Sequence, residues 1–182
     1  MSVMRSLARR RRWLPWAGLA AVVLIAFGLW FFEPQALFLN DTVSEAAPRV
    51  NEMQGDNGDD SSDAGSAQGV IATGEFRPLA HDARGTALLI EAADGKTYLR
   101  FEGFEVENGP DLKVYLSRAQ ADASDGELAD EIVDLGELKG NIGDQNYLVP
   151  ASVDLTGYRS AVVWCRRFSV GFAVAPLNVR GS

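Results

Sequence analysis

The stretch Ser160-Ala-Val-Val-Trp-Cys165-Arg-Arg-Phe-Ser-Val-Gly-Phe172 is rich in β-branched and aromatic residues and holds the single cysteine of the protein. Read as one β-strand, it places its large apolar side chains on one face, which are Val162, Trp164, Phe168, Val170 and Phe172. That face is predicted to be the core side. The opposite face, which includes Cys165, is smaller and partly polar, so a ligand or another backbone could approach it. We therefore predict that the thiol faces a pocket.

Two alternatives to this interpretation stay open. The consecutive arginines Arg166 and Arg167 invite a β-bulge, and one extra residue would exchange the two faces beyond it. In addition, most free cysteines are inert packing residues in protein cores. Cysteine reactivity depends on exposure and on neighbouring charge, which this stretch alone does not reveal.

The N-terminal region separates into a basic segment and an apolar run. Five arginines lie within residues 1–12, and residues 13–32 carry no charge. Twenty apolar residues in a helix are long enough to cross about 30 Å of hydrocarbon, and aromatic residues stand at both ends. We expect a single transmembrane helix with the basic segment in the cytoplasm. The remaining chain is then periplasmic or extracellular.

Residues 33–69 are rich in Asp, Glu, Ser, Ala and Gly. Such a segment offers too little apolar surface to offset the entropy of ordering, so we expect a flexible acidic linker. Once the five N-terminal arginines are set aside, 12 basic residues face 25 acidic ones. This balance argues against nucleic-acid binding, which requires clustered Lys and Arg.

From residue 70 onward, short β-prone runs alternate with Gly, Asp and Pro signals. The predicted strands cover residues 70–77, 86–92, 97–106, 112–117, 132–138, 147–149 and 161–174. This pattern predicts an all-β domain over residues 70–178, an antiparallel β-sandwich or a barrel-like fold. The best helix candidate, residues 119–130, is short.

The residue inventory excludes several common chemistries. His81 is the only histidine, so a histidine-cluster metal site is excluded and no metal ligands are assigned. Hydrolase and dinucleotide-binding motifs are absent from the sequence. His81 lies in a predicted loop, where it is either an ordinary exposed residue or, if the loop folds over the cysteine, a cofactor ligand or proton carrier.

Several blocks together resemble the DM-thirteen electron-transfer domain, an extracytoplasmic β module that also occurs beside DOMON domains in animal proteins. The matching residues are His81, Gly85-Thr86, Phe104, Gly109-Pro-Asp-Leu-Lys-Val-Tyr-Leu-Ser117, Leu135-Gly-Glu-Leu-Lys-Gly-Asn141, Gln145-Asn-Tyr147, Pro150, Val163-Trp-Cys165, Phe168-Ser-Val170, Phe172 and Ala175-Pro-Leu177.

The resemblance implies electron transfer with Cys165 as a bare redox thiol or as the ligand of a prosthetic group such as haem. His81 and Tyr147 are the candidate supporting residues. A DOMON domain is missing, so any redox partner is expected to be a separate protein. The alternative is a non-catalytic β-sandwich binding module of the cell envelope in which Cys165 is structural and residues 140–146 help to form the binding surface. A structural assembly subunit is a third hypothesis.

Overall fold

The computed structural model describes residues 14–32, 40–50 and 69–179, and within the first range it describes the side chains of residues 16–27. The chain divides into two units, residues 1–38 and residues 39–182. The first unit contains helix α1 (Leu14–Phe32). No helix of the described residues is long and apolar enough to cross a membrane. The span predicted for residues 13–32 stays a prediction.

The second unit is built from two β-sheets. Within the described residues, sheet A has the order β1-β8-β5-β4-β2-β11, with the bounds β1 (Thr42–Ser44), β2 (Val70–Glu75), β4 (Ala83–Glu91), β5 (Thr97–Val106), β8 (Ile142–Leu148) and β11 (Asn178–Val179). Sheet B has the order β3-β10-β9-β6-β7, with the bounds β3 (Arg77–Pro78), β6 (Leu112–Ser117), β7 (Ile132–Glu137), β9 (Ser160–Cys165) and β10 (Val170–Pro176). A short helix, α2 (Asp125–Leu128), precedes β7.

The predicted antiparallel β-sandwich is confirmed. All described strand pairs run antiparallel except β1 with β8, which is parallel. The strands predicted at residues 97–106 and 112–117 begin and end at the same residues in the structure. The helix predicted for residues 119–130 is reduced to the four residues of α2.

The main core lies between the two sheets. Sheet B contributes alternate residues of β6 and β9, namely Leu112, Val114, Leu116, Ala161, Val163 and Cys165. Sheet A contributes an aromatic group in which the rings of Phe76, Phe101, Phe104 and Tyr147 lie within 5.3 Å of a neighbouring ring. Alternation along each strand produces this arrangement, because successive side chains point to opposite faces.

The stretch 160–172 is not one strand but two strands joined by a turn at residues 166–169, which corrects the prediction. Val162 and Trp164 lie on the outer face of sheet B, whereas Phe172 belongs to the main core. Phe168 is 65% exposed in the turn. The chain reverses at the two arginines, so residues beyond them cannot continue the face begun by Val162.

A second apolar cluster, the outer cluster, covers the other face of sheet B. Its buried members are Tyr115, Ala121, Leu128, Val162, Trp164 and Val174. Residues between β6 and β7 fold over Tyr115 and cover this face of β6. Both faces of β6 and β9 are therefore buried.

Part of the predicted linker belongs to the sheet. Thr42–Ser44 pairs in parallel with residues 142–144 of β8, Glu45 and Ala46 bond to Asn146, and Arg49 bonds to Ala93 in the turn between β4 and β5. Residues 33–39 and 51–68, like the basic segment at residues 1–12, lie outside the described residues. The prediction of a flexible linker is wrong for residues 42–44, which form a strand. The backbone partners of this strand come from the edge of β8, so the local sequence does not reveal them.

Candidate functional site

Cys165 is the last residue of β9 and is fully buried in the main core. It stands opposite Leu112 of β6 and Val170 of β10. The predicted pocket on the cysteine face is therefore wrong, because this face of β9 is the one that packs against sheet A. The side chain has apolar neighbours and one polar partner.

That polar partner belongs to the β5–β6 loop, residues 107–111. Cys165 Sγ lies 3.1 Å from the carbonyl oxygen of Pro110 and donates its S–H to it. A thiol donates only weakly, so this contact adds one polar bond to the apolar packing that encloses the sulfur. The loop thus covers the thiol and bonds to it.

The turn after Cys165 is fastened to the same loop. The backbone N–H of Arg166 donates to the carbonyl oxygen of Asp111 at 3.1 Å, and its Nε donates to the Asp111 carboxylate at 2.9 Å. The hydrogen bond that Arg166 donates to the Asp111 carboxylate raises the pKa of Arg166. Asp111 has a φ of 66°, a left-handed conformation that is uncommon for residues other than glycine.

His81 contacts the other end of the β5–β6 loop. Its Nδ1 donates to the Glu107 carboxylate at 2.8 Å, and its ring packs on Phe172 with 4.0 Å between centroids. A Cβ on Gly109 would lie 2.6 Å from the same phenylalanine ring. The loop therefore follows Phe172 closely between its contacts with His81 and Cys165.

Tyr147 belongs to a separate polar network on sheet A. Its hydroxyl donates to Gln145 Oε1 at 2.6 Å and accepts the Lys139 N–H at 3.1 Å. Gln145, itself fully buried, donates from Nε2 to the Gly140 carbonyl oxygen at 2.8 Å. Burial raises the pKa of Tyr147 far above its ordinary value. These bonds hold the turn between β7 and β8.

The three predicted site residues are thus not assembled into one site. No hydrogen bond within the described part of the chain joins any two of Cys165, His81 and Tyr147. Cys165 and His81 share the β5–β6 loop, whereas Tyr147 does not contact it. The sequence analysis missed Glu107, Pro110 and Asp111, for which the only local signal is the Gly109-Pro-Asp111 turn.

The packing around Cys165 does not fit a haem. The sulfur is fully buried between two sheets and bonded to a loop carbonyl, and His81 is held by Glu107 and Phe172. Two clefts of about 390 and 550 Å³ lie elsewhere, and none of the three predicted residues lines either of them. Among the described residues, no group of three or more potential ligands could hold a metal ion.

Fold and site together define a β-sandwich domain with one enclosed thiol beneath a loop. The family model described as Electron transfer DM13 matches residues 75–177. The chain therefore belongs to the electron transfer DM13 family, which makes it an electron-transfer module at the level of the family. Comparisons with curated proteins and with solved structures give no match.

Proposed function

We propose that this protein transfers electrons by thiol–disulfide exchange, with Cys165 as a bare redox thiol that a partner reaches when the β5–β6 loop opens. Membership of the electron-transfer family supports the redox class. The observation that carries the mechanism is the hydrogen bond from Cys165 Sγ to Pro110, because it joins the one thiol of the chain to a loop near the protein surface.

The closed loop protects the thiol. A partner disulfide must reach the sulfur, and in the closed state the sulfur has no access to solvent. Random oxidation is suppressed for the same reason, because susceptibility follows thiolate character and exposure. Exchange then depends on how often the loop opens.

The side-chain contacts at the two ends of the loop lie near the surface. The Arg166 side chain is 64% exposed and the Glu107 side chain 58% exposed, so water and salt weaken the Arg166–Asp111 ion pair and water competes for the His81–Glu107 hydrogen bond. Local opening of such a segment needs less free energy than global unfolding.

In the open state, the Cys165 proton passes to water and the thiolate attacks one sulfur of a partner disulfide. A new S–S bond joins Cys165 to the partner, the old S–S bond breaks, and the second partner sulfur leaves as a thiolate that takes up a proton. A dithiol of another molecule then attacks the partner sulfur of the mixed disulfide with one thiolate, which releases Cys165 as a thiol. The second thiol of that molecule attacks the new mixed disulfide, closes an internal disulfide and displaces the remaining partner sulfur as a thiol. Two electrons thus pass from the dithiol to the first disulfide, which ends as two thiols.

The test is thiol titration of the purified full chain with dithionitrobenzoate, an aromatic disulfide, under native and denaturing conditions. We expect one reactive thiol in each condition, a slow native reaction that is still faster than global unfolding, and no reaction in Cys165→Ser. A native rate equal to the unfolding rate would overturn the mechanism. So would a stoichiometric chromophore in the absorption spectrum that disappears in Cys165→Ala.

A second candidate is the non-catalytic binding module with a structural cysteine. The complete burial of Cys165 in the main core favours it. In that case Cys165→Ala lowers stability but leaves partner binding unchanged.

The cellular location is a further part of the proposal and rests on sequence alone. The arginine-rich segment and the uncharged run at residues 13–32 support a single membrane anchor with the domain outside the cytoplasm, and the redox partner is then another protein of that compartment. Membrane fractionation with alkaline carbonate extraction, combined with protease accessibility of the domain, tests this. Recovery of the chain in the soluble cytoplasmic fraction would refute it.

A further inference from the structure

The segment that precedes the sandwich is bound to the edge of sheet A, far in sequence from its partners. We call residues 40–50 the strap. Besides the β1 pairing, the Glu45 N–H donates to the Asp144 carbonyl oxygen at 2.9 Å and the Ala93 N–H donates to the Arg49 carbonyl oxygen at 2.7 Å. The strap is therefore attached at several points along its length.

The edge of β8 is shaped to receive the strap. A Cβ on Gly143 would overlap the carbonyl oxygen of Val43, and a Cβ on Gly140 would lie 2.5 Å from the carbonyl oxygen of Asp41. Gly143 also has a φ of 105°, which favours glycine. The backbone of the strap can approach this closely only because both positions lack side chains.

Asn141 joins the strap to the β5–β6 loop. Its Oδ1 accepts the Asp41 N–H at 2.8 Å, and its Nδ2 donates both to Asn40 Oδ1 at 3.0 Å and to the Val106 carbonyl oxygen at 3.1 Å. The Val106 N–H returns a bond to the Asn141 carbonyl oxygen at 2.9 Å. Val106 immediately precedes Glu107, the first residue of the loop.

Glu45 provides the second anchor of the strap. Its carboxylate accepts Lys139 Nζ at 2.7 Å and the Asn146 N–H at 2.7 Å, and its carbonyl oxygen accepts Arg100 Nη1 at 3.1 Å. Burial opposes ionisation of Glu45, but the bonds from Lys139 and Asn146 and the charge of Lys139 outweigh it and lower the pKa of this carboxyl. The strap is thus held by a charged anchor as well as by backbone pairing.

We propose that the strap regulates the Cys165 thiol: when bound to β8 it fixes Asn141 and, through Asn141, the start of the loop that covers the sulfur. Hydrogen bonds run from Asp41 to Asn141 and from Asn141 to Val106, and the backbone of the loop continues from Val106 to Pro110, which accepts the hydrogen bond from Cys165. Release of the strap frees the Asn141 amide to rotate, removes its fixed bond to Val106, and raises the frequency of loop opening.

The strap is suited to release because none of its residues is buried. Its strand pairing comprises three residue pairs in parallel register, the less stable arrangement per residue. Its carboxylate anchor depends on Lys139, whose side chain is 41% exposed. A partner that displaces residues 40–50 from β8 therefore increases access to the Cys165 thiol without unfolding the sandwich.

The test compares Glu45→Lys with Glu75→Lys in the full chain. Glu45→Lys sets two positive charges against each other at Lys139, whereas Glu75→Lys makes the same charge change at an exposed position at the end of β2. We expect Glu45→Lys to raise the native rate of Cys165 modification by dithionitrobenzoate about tenfold, because local opening free energies govern access, and Glu75→Lys to leave it unchanged.

A second variant, Asn141→Asp, keeps the acceptor for Asp41 but turns a carboxylate oxygen toward the Val106 carbonyl oxygen. It is expected to accelerate modification as well. Urea unfolding of each variant measures global stability. Unchanged rates in both variants, or rates that rise only in proportion to lost global stability, would overturn the role of the strap.

The regulation rests on the proposed use of Cys165 as a redox thiol, but its test does not depend on electron transfer. The modification rate reports access to the sulfur whether or not the thiol exchanges electrons with a natural partner. If Cys165→Ser retains electron exchange while Glu45→Lys still accelerates modification, the proposed function fails and control by the strap stands.

Discussion

Arg166 holds Asp111 at two points, through its backbone N–H at 3.1 Å and through its guanidinium Nε at 2.9 Å. The two bonds are of different kinds, because only the second depends on the side chain. The residue that follows the thiol is therefore bound to the residue that ends the covering loop. Mutation of the side chain loosens this connection without removing the backbone bond.

Arg166→Ala should raise the native modification rate of Cys165 severalfold with little change in the urea midpoint, since an exposed ion pair adds little to global stability. The matched control is Arg84→Ala, which breaks the exposed Arg84–Glu105 pair on sheet A. Equal modification rates for the two variants would contradict the prediction that the Arg166–Asp111 contact keeps the β5–β6 loop closed.

Cys165 substitutions separate packing from chemistry. Cys165→Ala removes a fully buried sulfur and its bond to Pro110, so we expect a loss of about 1–2 kcal/mol in the free energy of unfolding. Cys165→Ser should retain a donor to Pro110, yet both variants should lose all exchange with disulfides. Urea unfolding and the thiol assay measure the two effects. Disulfide exchange that survives in Cys165→Ser would rule out this thiol as the redox group.

Tyr147→Phe tests the network on sheet A. Loss of the hydroxyl leaves Gln145 Oε1 and the Lys139 N–H without this partner, and we expect a loss of about 1–3 kcal/mol in the free energy of unfolding. The ratio of the native Cys165 modification rate to the global unfolding rate should stay at its wild-type value. A selective change in that ratio would place Tyr147 in the redox site after all.

The raised pKa of Tyr147 also predicts an alkaline dependence of stability. The folded state keeps the phenol proton to a higher pH than the unfolded state, so this contribution is complete below about pH 10 and is lost as the pH rises above it. Urea unfolding of the wild type between about pH 9.5 and pH 11.5 should show the decline, and Tyr147→Phe should reduce its slope. Identical slopes would refute the assignment to Tyr147.

The lowered pKa of Glu45 predicts release of the strap in acid. Its carboxylate stabilises the folded state above the unfolded pKa, about 4.3, and this contribution disappears as the pH falls through the lower folded value. Amide hydrogen exchange at Asn146, whose N–H bonds to Glu45, should therefore accelerate below about pH 4 relative to the amide of Leu99 in the main core. Parallel acceleration of both amides would indicate global unfolding instead.

The amino-acid sequence by itself determined an all-β domain of the sandwich or barrel type, the bounds of the strands at residues 97–106 and 112–117, and membership of the electron-transfer family. These features are encoded locally or in motif order, because runs of β-prone residues bounded by turn residues predict strands from neighbouring residues alone. The single cysteine was likewise evident, and with it the candidate redox atom.

The environment of that cysteine was decided only by the tertiary structure. A strand buried on both faces, such as β9, carries no alternation that distinguishes the main core from the outer cluster, so the sequence could not assign the side of Cys165. The hydrogen bond between Cys165 and Pro110 joins residues 55 positions apart. The hydrogen bond between His81 and Glu107 joins residues 26 positions apart. The strap shows the same limit more clearly: Thr42–Ser44 is polar and short, and it is a strand only because the edge of β8, about 100 residues away, supplies its backbone partners.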